Sequence, residues 1–204
     1  MLQIENLSKT YRLNDRDIEA LKAISFTAQP GEILGIVGKS GGGKSTLMKI
    51  LRGMDRFDSG KITMDGITIT PDSSDEEIRA RMAATAIHLQ RDFALWTESA
   101  LNNVVRRIHS RKTGYEVLPI PENADYDEMY KEGLFYLGLV GLEKKASHLA
   151  TILSGGEKQR LVIARQLAKK PKVLLLDEPA TMACPATKQE VLDAIKNVRD
   201  KLGL

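Results

Sequence analysis

The sequence predicts an α/β fold: a core with a mostly parallel sheet, an antiparallel β subdomain and a helical subdomain. Three observations carry this. The apolar run EILGIV, residues 32–37, enters a glycine-rich loop, GKSGGGKS, that opens a helical pattern. A second apolar run, VLLL, meets two adjacent acids, Asp177 and Glu178. Between them, residues 93–152 show helical spacing with little glycine punctuation. The organisation expected is one domain over 1–204, with 1–92 and 153–204 as core and 93–152 as helical subdomain.

The elements follow in order. LQIENLSKTY and ISFTAQPGE read as short antiparallel strands with polar turns. EILGIV reads as a compact strand. STLMKILRG has Leu47, Ile50 and Leu51 on one helical face and stops at Gly53. SGKITMDGITIT is a hairpin around Asp65-Gly66. ATAIHLQ is a short strand ending at Gln90. HSRKTGYEVLPIPENAD, broken by Gly114, Pro119 and Pro121, reads as a surface loop over 109–125. Tyr126, Tyr130, Leu134, Leu137 and Val140 mark an amphipathic helix. LSGGEKQRLVIARQLA opens a helix with Leu161, Ala164 and Leu167–Ala168 on its apolar face. KVLLLD is a strand. Thr187 and Glu190 then form a T-x-x-E capping box for a helix whose stripe is Val191, Ile195, Val198 and Leu202.

Bulk properties exclude several function classes. The chain has 204 residues, 42% hydrophobic and 28% charged, with formal net charge +3. This mild charge, without interleaved aromatics, does not favour nucleic acid. One cysteine forms no internal disulfide, which fits a reducing compartment. No apolar run reaches the ~18 residues of a membrane span, and the start lacks a signal peptide. A cytoplasmic chain is expected, peripheral to a membrane only through a partner.

Gly38, Lys39, Ser40, Gly41, Gly42, Gly43, Lys44 and Ser45 fit G-x-x-x-x-G-K-[ST], followed by Thr46. Glycines let the backbone turn its N–H groups onto an anion, and the following helix adds its positive end. Lys44 would reach the β- and γ-phosphates and the Ser45 hydroxyl would sit on Mg²⁺. The plainer alternative is a glycine turn starting a helix. Two carboxylates after a buried strand need a cation. Asp177 would hold Mg²⁺, and Glu178 would orient the water that attacks the γ-phosphate. Alone, both could be solvated turn residues before Pro179. Ser154, Gly155 and Gly156 make a second anion-ready helix start. It suits the nucleotide of a second copy, and it also reads as an N-cap, with Glu157 completing a capping box.

These motifs together resemble the ATP-binding cassette (ABC) ATPases. GKSGGGKS is similar to their Walker A loop, LSGGEKQR to their signature motif, and VLLLDEP to their Walker B strand with its catalytic glutamate. The resemblance covers 1–204 and implies a P-loop NTPase (RecA-like) core that uses ATP and Mg²⁺. It implies that Tyr11 stacks on adenine, although Tyr11 could also be a strand core residue. It implies that Gln90 contacts Mg²⁺ and the attacking water, so that Glu178, Lys44 and Gln90 are catalytic and Ser45, Gln90 and Asp177 serve the metal. It further implies a second ABC domain bound head to tail, as homodimer or heterodimer, with Ser154 completing the opposite site. FALWTESALNNV resembles the segment that meets partner subunits.

Two departures stand out. The position of the family's interface aspartate is Cys184, read here as a small, partly buried residue without metal-ligand spacing. None of His88, His109 and His148 follows Asp177, so the switch histidine and the C-terminal strand are expected to be missing, through truncation or supply from elsewhere. The leading expectation is an ATPase whose dimer closure drives a partner, either a transmembrane permease or a soluble enzyme complex. LRGM and ATMACPATKQEVLDAI resemble the soluble branch represented by the ATP-binding component A2 of the methyl-coenzyme M reductase activation system. The alternative is an ATP-binding regulatory module with little turnover.

Overall fold

A computed structural model describes residues 1–83, 85–88, 94–114, 125–181 and 183–204, with backbone alone for 81–83 and 85–88. Packing divides the chain into two units, Met1–Ala86 with Leu204, and Ile87–Gly203.

The first unit is built on a four-stranded antiparallel sheet in the order β2-β1-β3-β4. β1 (Leu2–Leu13) and β2 (Arg16–Ala28) form one long hairpin, pairing Leu2 with Ala28 and Leu13 with Arg16. Both strands run further than their apolar alternation suggests. The turn between them is Asn14-Asp15, at φ 46° and 59°, left-handed values that Asn and Asp tolerate better than most residues. Leu2, Ile4 and Leu7 are buried, and their spacing slips by one where Asn6 bulges at φ 51°. β3 (Ser59–Met64) and β4 (Ile67–Ile69) close the expected hairpin, with Met64 opposite Ile67. Asp65 and Gly66 both have positive φ, which the tight turn requires. Helix α1 (Lys44–Arg52) buries Leu47, Ile50 and Leu51 as predicted and packs on β2. It ends at Gly53, whose left-handed backbone returns its N–H to the Ile50 carbonyl.

Helix α2 (Asp75–Ala83) was not foreseen. Its signal was present: the S-x-x-E pattern of Ser74 and Glu77 forms a reciprocal cap, with Ser74 N–H donating to Glu77 Oε2 at 2.7 Å. The run 32–37 differs from expectation in the opposite sense. It belongs to none of the assigned strands, and Ile33, Leu34, Ile36 and Val37 are exposed, Val37 by 94%. The sheet of this unit takes both edges of β1 for β2 and β3, and its registers use none of residues 32–37. Apolar content alone does not make a strand, because a strand needs a partner ladder.

The second unit is mainly helical. α3 (Ala100–Thr113), α4 (Tyr126–Leu139), α5 (Gly155–Leu167) and α6 (Pro185–Leu202) pack together, and α5 touches the other three. Residues 153–203 therefore pack with the helices that precede them. Strand β6 (Val173–Leu176) pairs with β5 (Thr85–His88). α5 is central: everything from Gln159 to Leu167 is buried, where sequence suggested a single apolar face. Two of its polar members make charged contacts, Arg160 with Glu190 of α6 and Arg165 with α3. Arg165 donates to Asn103 Oδ1 at 2.6 Å, and Asn103 in turn holds both the N–H and the carbonyl of Leu95.

α3 also corrects the expected loop over 109–125. Residues 109–113 are helical, and His109 is buried. Residues 115–124 lie outside the described part. Of the predicted stripe, Leu137 in α4 and Val140 at its C-cap are buried and Tyr126, Tyr130 and Leu134 are half-buried, while Met129, Gly133 and Tyr136 complete the inward face. Gly133 sits at the contact with α3. A Cβ there would come within 2.8 Å of Leu101 Cδ1, so glycine lets α4 approach α3 closely. Arg111 ties the pair, donating to both carboxylate oxygens of Glu132 at 3.0 and 2.8 Å. Burial, aided by the Glu132 carboxylate, pushes the Tyr136 hydroxyl up to about 12.

Candidate functional site

The predicted site residues fall in both units, and each half is described by itself. In the first unit, the glycine loop ends in Gly43, the N-cap of α1, at φ 81°. Glycine is required there twice over. The backbone is left-handed, and a Cβ would lie 2.2 Å from the Ala20 carbonyl oxygen. Having no side chain, Gly43 caps nothing, and the first turn carries no acid. The leading N–H groups of α1 are thus left without a side-chain acceptor or a negative charge. Lys44 bends its ammonium back over the loop, donating to the carbonyls of Gly38 at 2.7 Å and Lys39 at 2.9 Å. Gly42 N–H closes a turn onto Lys39 O at 3.1 Å. An uncapped helix start under an ammonium fits the phosphates of a nucleotide. Gly38, Lys39, Ser40, Gly41 and Ser45 are exposed, and Thr46 is half-buried.

Tyr11, on β1, belongs to the same unit and lies close to α1. Its hydroxyl donates to Asp55 Oδ2 at 2.5 Å. The Lys9 ammonium sits 5.0 Å from the ring centroid. Sequence reasoning missed Lys9 and Asp55, since no spacing rule links residues on a strand and in the turn after α1.

In the second unit, Ser154 caps α5 as foreseen. Its hydroxyl accepts from Glu157 N–H at 3.3 Å, and Glu157 Oε2 accepts from Ser154 N–H at 2.8 Å. The backbone bond to Ser154, with its hydroxyl, holds the Glu157 carboxyl below the usual glutamate range against the opposing effect of burial. Gly156 is buried, and a Cβ on it would meet Thr187 Oγ1 at 3.0 Å. The second glycine of this motif therefore also packs tightly against Thr187 in the α5–α6 contact.

The two acids at the end of β6 are less buried than the strand suggested. Asp177 is half-buried and Glu178 exposed, so burial does not by itself demand a cation. Glu178 sits at φ 48°, unusual for a non-glycine residue, and its Oε2 accepts from the Thr181 hydroxyl at 3.0 Å. The chain turns out of the sheet there, leaving the carboxylate at the strand mouth.

Cys184 corrects two expectations. It is exposed, and it is the N-cap of α6, with Pro185 opening the helix. Thr187 is not the cap but lies one turn in, its hydroxyl donating to the Cys184 carbonyl at 3.2 Å. Proline's fixed φ starts the helix earlier than the T-x-x-E pattern does. Glu190 pairs with Arg160 of α5 instead. The Thr187 hydroxyl and backbone N–H lower the Cys184 thiol from its ordinary value.

Gln90 lies outside the described residues, as do Phe93 and Met182. Among the described residues, no three His, Cys, Asp or Glu side chains converge as a metal site. Ser45 in the first unit and Asp177 in the second each offer oxygen as a donor. Oxygen is the donor type that Mg²⁺ takes, with phosphate oxygens and water completing its shell.

The comparisons agree with this architecture. The family model described as ABC transporter matches residues 21–181. The chain belongs to that family, as an ATP-binding cassette ATPase domain with the P-loop NTPase fold. It is 50% identical over 208 residues to the ABC transporter ATP-binding protein MJ1662 of Methanocaldococcus jannaschii, covering all of this chain and 35% of that protein. It is 33% identical over 204 residues to the methionine import ATP-binding protein MetN 1 of Listeria monocytogenes, covering all of this chain and 57% of that protein. The chain thus spans about a third to three fifths of these relatives. Among solved structures, the ATP-binding cassette MJ0796, a dimer in a post-hydrolysis state bound to ADP and Pi, superposes with a TM-score of 0.76 at 29% identity. That match covers all of this chain and 84% of that one. No helix among the described residues is long and apolar enough to cross a membrane.

Proposed function

We propose that this chain binds MgATP on Gly38–Thr46 and hydrolyses it, and that ATP closes two cassettes head to tail to drive a membrane permease. The observation that carries the proposal is the uncapped, acid-free start of α1 beneath the Lys44 ammonium. Mg²⁺, held by Ser45, Asp177 and Gln90, would neutralise charge on the phosphates. Lys44 would exchange its two loop carbonyls for phosphate oxygens. Glu178 would orient the attacking water, and Tyr11 would offer its ring to adenine. Ser154 and the first turn of α5 would face the γ-phosphate bound by the other cassette. The import functions carried in relatives' names, and the dimeric form of the structural neighbour, support the partner assignments. The chain would then lie at the cytoplasmic face of a membrane through its permease.

Phosphate release by wild type and Glu178→Gln tests this, with sedimentation of the variant in MgATP. Turnover lost in the variant, with ATP-dependent dimers, is expected. Equal slow release by both proteins would favour a regulatory binding module. Affinity capture that returns a soluble enzyme without a permease would overturn the partner assignment in favour of an enzyme-activating cassette.

A further inference from the structure

We propose that Asp55 is a positioning residue for the nucleotide base: it fixes the Tyr11 ring as a platform, while Lys9 covers one face and leaves the other for a purine. This rests on the assignment of Tyr11 as the adenine contact.

Asp55 follows Gly53 and Met54, where α1 has just ended. One of its oxygens accepts the Tyr11 hydroxyl at 2.5 Å, and the other lies 3.4 Å from Lys9 Nζ. Lys9 is mostly buried and also approaches Asp58 Oδ1 at 3.8 Å, while Asp58 Oδ2 accepts the Thr10 N–H at 2.6 Å. Residues 9, 10 and 11 of β1 are thus all tied to the turn after α1. A tyrosine ring left alone rotates about χ1 and χ2, and ordering it on binding weakens affinity. Here the hydroxyl is held at Asp55, just beyond the end of α1. The platform is therefore referenced to the helix whose start holds the phosphates.

The charges are consistent with this role. An unpaired carboxylate near a triphosphate would repel it, but the Lys9 ammonium neutralises Asp55. Burial by itself would raise the Asp55 carboxyl; the Tyr11 hydroxyl and Lys9 outweigh it and hold the group ionised. Burial, with the Asp55 bond, raises the Tyr11 hydroxyl, which stays a donor. With Lys9 drawn to one face by the ring quadrupole, stacking is directed to the opposite face.

Calorimetric titration with MgATP and with magnesium tripolyphosphate, which has no base, tests the assignment. Tyr11→Phe and Asp55→Ala should each weaken MgATP by about 3- to 10-fold, part of what a charged hydrogen bond contributes. The double variant should be no weaker than either single one, and Asp55→Asn, which keeps an acceptor, should recover part of the loss. Tripolyphosphate affinity should not move. Wild-type MgATP affinity in Tyr11→Phe and Asp55→Ala, beside a loss in Tyr11→Ala, would overturn the role of Asp55 and leave the platform standing. Losses shared by tripolyphosphate would make Asp55 merely structural and also overturn the proposal. An unchanged Tyr11→Ala would remove Tyr11 from the adenine site altogether.

Discussion

The starts of α1 and α5 are both glycine-rich, yet they are finished differently. α1 begins at a glycine that caps nothing, with no acid in its first turn. α5 begins at Ser154 with a complete capping box and Glu157 already in its first turn. The first leaves its N–H groups for a ligand, and the second satisfies its own. A helix start becomes a strong anion site by what the sequence withholds from it. Once capped, the same start can stand alone and bind a partner's phosphate only as an addition.

Substitutions at four positions break or sharpen this contrast. The largest effect belongs to Gly43→Ala. Its Cβ would collide with the Ala20 carbonyl at a left-handed φ, which should cost about 2–4 kcal/mol in urea unfolding. Stability near wild type would mean the α1 start is not sterically fixed. Next, Lys44→Ala should weaken MgATP about 100-fold in calorimetry by deleting charge-assisted bonds, with thermal stability held, since the ammonium contacts only loop carbonyls. Undiminished affinity would refute the phosphate site.

Ser154→Ala should destabilise the second unit by about 1 kcal/mol, the worth of a cap. Ser154→Asp should restore the melting temperature without restoring ATP-dependent dimers, because a carboxylate caps a helix and repels a phosphate. Dimers at wild-type strength in Ser154→Asp would confine Ser154 to capping.

The smallest effect is on pH dependence. Glu157 has a lowered folded-state pKa, so its contribution is present above the unfolded value and fades as pH falls through the folded one. Glu157→Gln keeps an acceptor for Ser154 N–H but does not titrate. The wild type should therefore lose stability faster than the variant below about pH 4.3. Parallel acid curves would show that this carboxylate is not coupled to folding. α1, with no first-turn acid, offers no counterpart.

Much of this was legible in order along the chain. The α1 face, the Asp65-Gly66 hairpin, the Ser154 capping box and the VLLL strand before the acids rest on local spacing and short-range hydrogen bonds, which sequence encodes directly. α2 was legible too, through Ser74 and Glu77, but its polar face lacks the apolar period that draws attention to a helix. The start of α6 was misplaced because Pro185 outranks a T-x-x-E pattern two residues later.

By itself, the sequence determined the phosphate loop, the signature start, the acids after β6 and hence the family, because those chemistries need fixed residue types at fixed spacing. Tertiary structure decided what depends on distant neighbours: that 32–37 joins no ladder in its unit, that α5 is buried all round, that Gly156 yields space to Thr187. It also decided that Asp55, more than 40 residues from Tyr11, holds the ring in place. Periodicity reports one face of an element at a time, whereas burial and hydrogen bonding are settled by whatever packs against it.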